Sequence, residues 1–152
     1  MDSGGPYLTA AFFCERVIED KEGVLTAVRI VDRIVQTAVG AGTPDEMPPA
    51  AVSLSLLVSL KSGRAKGRHD MQIMVESPAG LRSPVAPANS IFLEGEDRGA
   101  NLVLNLTFTA HQEGLYWFDV LLDGALLTRV PLRLLYQRLE TGIPGSSPGP
   151  TG

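Results

Sequence analysis

The side chains in this chain that could do chemistry are few and far apart. A covalent mechanism needs a nucleophile, a base and a group that orients the base. Cys14 is the one thiol, and it stands beside Phe12 and Phe13 in an apolar run. Cysteine in such surroundings behaves as a small inert hydrophobe. The neighbouring Glu15 would raise a thiol pKa further, because a negative charge disfavours the thiolate. His69 and His111 have no cysteine or histidine at ligand spacing, so a transition-metal site is not expected and both imidazoles read as solvated. Glu94, Glu96 and Asp97 put carboxylates at near-alternate positions. Oxygen ligands so spaced could hold Ca²⁺, but a charged hairpin tip accounts for them without a metal.

One basic cluster exists: Lys61, Arg64, Lys66 and Arg68, threaded with Gly63 and Gly67. Arg64, Lys66 and Arg68 are the candidates for gripping a phosphate or an acidic partner from a glycine-rich hairpin tip. No aromatic residue is interleaved, so the stacking platform of a single-strand nucleic-acid binder is missing. The formal net charge of −4 gives no global attraction to nucleic acid or to an anionic membrane. Together these residues predict a non-enzymatic protein with no catalytic residue, no metal and no cofactor.

The elements that must position these residues are strands. At 152 residues, with 44% hydrophobic and 20% charged residues, the chain suits one globular domain. A single cysteine permits no intrachain disulfide. The first six residues lack the basic start of a secretory signal, and the apolar run Leu8 to Cys14 is too short to span a bilayer. The expected setting is the reducing cytoplasm.

Apolar and polar residues alternate with period two along most of the chain. Residues 7–18 carry apolar residues on both faces, as in a strand covered twice. Residues 24–36 are rich in β-branched residues, although Val24, Val28 and Val31 also fit helical spacing. Asp32-Arg33 interrupts this run, and a bend there would let one long strand serve two sheets. Residues 38–51 read as a proline- and glycine-bearing loop. Val52, Leu54, Leu56, Val58 and Leu60 give the cleanest alternation, followed by a basic connection at 62–68 and a strand at 69–76. The segment 81–88 contains Pro84 and Pro87, so it is an edge strand or a loop. A charged turn at 94–99 precedes a strand at 100–110.

The stretch His111 to Gly124 holds the only tryptophan and a Gly-x-Tyr-x-Phe pattern. It points Tyr116, Phe118, Val120 and Leu122 to one side. Asp123-Gly124 is a two-residue hairpin signal leading to a last strand at 125–136. Pro131 requires a free side on that strand. The domain is therefore set at 7–139, with a mobile lead-in at 1–6 and a disordered Gly/Pro/Ser tail at 140–152. The whole predicts an all-β, antiparallel, two-sheet β-sandwich of seven to eight strands.

Gln112, Gly114, Tyr116 and Phe118 resemble the tyrosine corner of immunoglobulin-like domains. Glutamine stands for the usual acid and phenylalanine for the cysteine, as suits a domain without a disulfide. A wider resemblance rests on Phe12-Phe13-Cys14-Glu15-Arg16-Val17, Gly23-Val24-Leu25, Ser77-Pro78-Ala79-Gly80, Gly114-Leu115-Tyr116 and Asp123-Gly124. These are similar to a family of uncharacterised bacterial β-sandwich domains. That resemblance implies a fold and a bacterial source, and carries no activity.

The remaining functional signal is apolar. With Tyr116 and Phe118 inward, Leu115, Trp117 and Leu121 face away, interrupted by Asp119. Leu127 and Leu135 share that outward face with Arg129, Pro131 and Arg133. Either a loop covers this face or it binds protein. Trp117, Leu115, Leu121, Arg129 and Arg133 are the partner-binding candidates, since tryptophan and arginine dominate interface energetics. The expected role is a protein-interaction module that binds through this face or a strand edge, a homodimer being one form of it. The competing role is a sandwich that binds carbohydrate or another small ligand.

Overall fold

In the computed structural model residues 4–139 are described. The strands are β1 (Tyr7–Glu19), β2 (Leu25–Val31), β3 (Arg33–Val39), β4 (Ala50–Glu76), β5 (Arg82–Pro84), β6 (Asn89–Ala110), β7 (Gly114–Leu122) and β8 (Ala125–Leu139). Among the described residues there is no helix, hence none long and apolar enough to cross a membrane. The run at 24–36 is strand, as its β-branched content favours over helical spacing. The expected tail at 140–152 and the first three residues of the lead-in lie outside the described residues.

The eight strands form one mixed, mostly antiparallel sheet in the order β2-β1-β4-β7-β8-β3, with β5 and β6 also paired to β4. Two expectations are corrected here. The sheet is not wholly antiparallel, because β3 runs parallel to β8 from Arg33↔Arg133 to Val39↔Leu139. Nor are 62–68 and 94–99 turns between separate strands. Both lie inside long strands, β4 and β6, and pair with each other, Gly63 opposite Glu96 and Lys66 opposite Glu94. Glycine allows this. Gly63, Gly67 and Gly95 take positive φ, and two register shifts fall between Lys61 and Lys66.

That glycine-bearing stretch folds the sheet. Phe13 of β1 lies on the same face as Leu56 of β4, its ladder partner, and Phe118 of β7 pairs with Val75. Positions 56 and 75 would stand roughly 60 Å apart on a straight strand. Yet the Phe13 and Phe118 rings meet edge to face at 4.9 Å. The β4–β6 ribbon is therefore bent, and its two stretches approach one another across the Phe13 and Phe118 rings. Between them sit Phe13, Leu56, Met71, Ile73, Phe118 and Leu132, each at most 1% exposed. Burying each such side chain contributes about 1.5–3 kcal/mol.

The bend expected near Asp32 is real. β2 ends at Val31 and pairs with β1, β3 starts at Arg33 and pairs with β8, so one run supplies both ends of the strand order. Asp123 and Gly124 both have positive φ, as the tight hairpin between β7 and β8 demands. The β3 ladder on β8 begins only at Arg133, which leaves β8 unpaired on that side at Pro131. Gly114, first of the Gly-x-Tyr pattern, has φ +136°. A Cβ there would come within 2.8 Å of the Pro78 ring, so the glycine is needed both for its backbone angle and for space.

Candidate functional site

The outward face of the β7 region is assembled from four strands. Residues opposite one another in a ladder share a face. Trp117 lies between Glu76 of β4 and Pro131 of β8, and Asp119 between Met74 and Arg129. Arg82 of β5 stands opposite Glu76 on the far side of β4. The predicted residues Leu115, Trp117, Leu121, Arg129 and Arg133 do come together here. Leu115, Trp117 and Leu121 are half-buried, and Arg129 and Arg133 exposed.

Asp119 is the centre of this face rather than an interruption in it. Only 6% of it is exposed. Its Oδ2 accepts a hydrogen bond from Arg82 Nη2 at 2.7 Å and its Oδ1 one from Arg129 Nε at 2.6 Å. Arg129 also donates from Nη2 to Glu76 Oε1 at 3.1 Å. A buried carboxylate is tolerable when both oxygens are paired in this way. The Asp119 hydrogen bond, the largest cause, raises the Arg129 pKa above its ordinary value, so its charge is fixed. Held there, the Arg129 guanidinium lies 4.9 Å from the centre of the Trp117 ring. Such stacking is worth about 0.5–1 kcal/mol where solvent reaches it. Arg133, opposite Leu115, makes no ion pair among the described residues.

Two features of this face have no local signal in the sequence. Arg82 belongs to the proline-bearing segment read as edge or loop, so nothing in the periodicity links it to Asp119. A bulge after Val120 also shifts the β8 register, so that Leu126, 56% exposed, stands opposite Leu121 in the place expected for Leu127.

The other candidates separate by environment. Arg64, Lys66 and Arg68 lie on the folded ribbon, not on a hairpin tip, and the acidic stretch 94–97 runs beside them. Lys66 is opposite Glu94, which also pairs with Arg98 at 2.9 Å. The basic and acidic clusters thus offset one another, which weakens both the anion and the Ca²⁺ readings. No group of three or more His, Cys, Asp and Glu residues among the described ones could hold a metal. Cys14 is fully buried, its Sγ donates to the Arg16 carbonyl, and burial pushes its thiol pKa up. This is the environment of an unreactive cysteine.

His69 is not a loose loop residue. Its Nδ1 is 2.6 Å from Asp123 Oδ2 and its Nε2 3.1 Å from the Lys66 carbonyl. Only the imidazolium can donate to both acceptors. The Asp123 hydrogen bond accordingly raises the His69 pKa, while the Asp70 N–H and then His69 lower that of Asp123. The pair fastens the folded ribbon to the β7–β8 hairpin.

Two larger clefts open at the seams. One, about 390 Å³, lies between β5 and the end of β6, with Phe108 and Tyr116 at its base and His111 and Gln112 at its rim. Another, about 520 Å³, is bordered by β3 and the start of β4, beside the Glu15–Arg29 ion pair.

Comparison with known proteins adds a family but no chemistry. Residues 9–135 match a family of unknown function (DUF6941). No curated protein matches the chain. Among solved structures, it is similar to a β-glucosidase from Listeria innocua in complex with glucose, at 11% identity and a TM-score of 0.48. That match covers 85% of this chain and 17% of the glucosidase. A second likeness, to the Pseudomonas fluorescens alkylpurine DNA glycosylase AlkC bound to DNA containing an abasic site analog, has 11% identity and a TM-score of 0.36. It covers 82% of this chain and 30% of the glycosylase. The chain thus spans less than a third of either protein.

Proposed function

The chain belongs to DUF6941, a family of unknown function, and from that premise we propose that it is a non-enzymatic interaction module binding protein through the Trp117 face. One observation carries the reading. Trp117 is half-buried under Arg129, and Arg129 is fixed by the buried Asp119 and by Glu76. A tryptophan and an arginine held in place before binding lose little conformational entropy on contact, which is the property of interface hot spots. Leu115, Leu121 and exposed Leu126 extend the apolar area, and Arg133 supplies a free charge at the rim.

The simplest partner is a second copy of the chain. Light scattering behind size exclusion tests this version: a dimer that dissociates on Trp117→Ala and on Arg133→Glu is expected. A strict monomer at about 100 μM, unchanged by either substitution, would refute self-association at this face.

We further propose that the folded sheet is an immunoglobulin-like sandwich. Support comes from Tyr116, whose hydroxyl donates to the Gln112 carbonyl at 2.5 Å, four residues back. That is the bond a tyrosine corner makes. A bacterial source and a cytoplasmic setting fit the family resemblance and the lone buried thiol. Detection of the native protein in fractionated host cells tests the setting, and its recovery outside the cytoplasm would reject it.

A further inference from the structure

The cleft between β5 and β6 has features that the Trp117 face does not explain. Alternate backbone groups of a strand point away from its ladder partner. Among the described residues β6 pairs with β4 alone, so one edge of β6 is open. Exposed strand edges are usually blocked by charge, proline or a bulge. Residues 100–110 contain no charged residue and no proline, and the β4–β6 register shifts all fall before this stretch. The open edge therefore keeps its template for pairing.

At its end this edge borders the cleft through Thr107, Phe108 and Thr109. On the opposite wall stand Leu81, 74% exposed, with Ser83, Pro84 and Val85. No aspartate, glutamate, lysine or arginine lines the cleft, although one residue in five of the chain is charged. Apart from the His111 imidazole at the rim, a charge brought in would find no ionic partner, and desolvating it is costly. The Tyr116 hydroxyl is already committed to Gln112. Pro84 has no N–H, so β5 is a poor template and β6 the better one.

We propose that this cleft docks an extended, uncharged peptide segment, which adds as a strand to the open edge of β6 and lowers an apolar side chain toward Phe108. Backbone pairing with β6 supplies affinity, and the charge-free cleft supplies selection for apolar residues at alternate positions. The site is separate from the Trp117 face and does not rest on it.

Capped eight-residue peptides alternating threonine with valine, leucine or phenylalanine are the probes, titrated into ¹⁵N-labelled protein. Saturable binding is expected, with amide shifts at Ser83, Val85 and 107–109. N-methylation of the peptide along one edge should weaken binding about tenfold or more, and along the other edge leave it unchanged. Ser83→Glu, at an exposed position, should weaken it about tenfold, while Ser83→Ala and Trp117→Ala stay within about twofold; a dispersed spectrum establishes that each variant is folded. No saturable binding by any probe at about 1 mM overturns the proposal. So does equal loss or equal retention for the two N-methylated forms, which would make the cleft a pocket for a small neutral molecule. Loss of binding in Trp117→Ala would also overturn it, by placing the peptide on the other site.

Discussion

The two faces of β7 are built by different physics. Inward, Tyr116, Phe118, Val120 and Leu122 are buried among apolar residues, and Phe118 touches the rings of both Phe13 and Phe108. Outward, the same nine residues carry Trp117 and Asp119, and order comes from charge-assisted hydrogen bonds reaching four strands. The inner face is non-directional and worth energy in proportion to area. The outer face is directional, and it spends two guanidinium groups on one carboxylate. Alternation therefore gives one strand a stabilising side and a presenting side. The presenting side can be altered without dismantling the domain.

That contrast can be broken at its strong end first. Phe118→Ala should destabilise the fold by about 3–5 kcal/mol in chemical denaturation, through lost burial and a cavity at the ring cluster. Asp119→Asn should cost less, about 1–3 kcal/mol, because Arg82 and Arg129 are left poorly paired but can reach water. Equal losses for the two substitutions would mean that the outer face carries the fold, and the contrast would fail. Trp117→Ala should cost at most about 1 kcal/mol of stability, since the ring is only half-buried and its stacking is solvated. A loss as large as that of Phe118→Ala would place Trp117 in the core.

The smallest effect sharpens the contrast at the hairpin tip, where the charged theme continues into Asp123 and His69. The His69 pKa is raised, so its contribution is full below about pH 6.5 and fades as pH rises through the raised value. The Asp123 pKa is lowered, so its contribution holds above about pH 3.9 and is lost on acidification through the lowered value. The pair is therefore most effective between those limits. In thermal melts, the gap between the wild type and His69→Gln should narrow from pH 6 to pH 9. A gap independent of pH would show that the imidazole acts without its charge.

Much of the fold was legible because alternation is local. The strand character of most segments, the bend at Asp32, the hairpin at Asp123-Gly124 and the open side at Pro131 follow from a few neighbouring residues. Partnership is not local. The glycines at 63, 67 and 95 read as turns because glycine marks both a turn and a bend in a continuous strand, and only the cross-strand partner tells them apart. The parallel β3–β8 ladder leaves no trace in either segment. At the site, Trp117, Arg129 and Arg133 could be placed on one face by counting. Asp119 looked like an interruption because its second partner, Arg82, arrives from a segment with no periodic signal. His69 was read as solvated for the same reason, its partner lying 54 residues away.

The β3–β8 ladder also sets a timetable. Arg33 and Arg133, which pair, are separated by one hundred positions. On a ribosome adding about 5–20 residues per second, β3 waits roughly 5–20 s for its partner to be made. Through that interval Ile34 to Val39, without one charged residue, is an unpaired β-prone segment in a crowded cell. The last strand made is thus the one that closes β3 into the sheet.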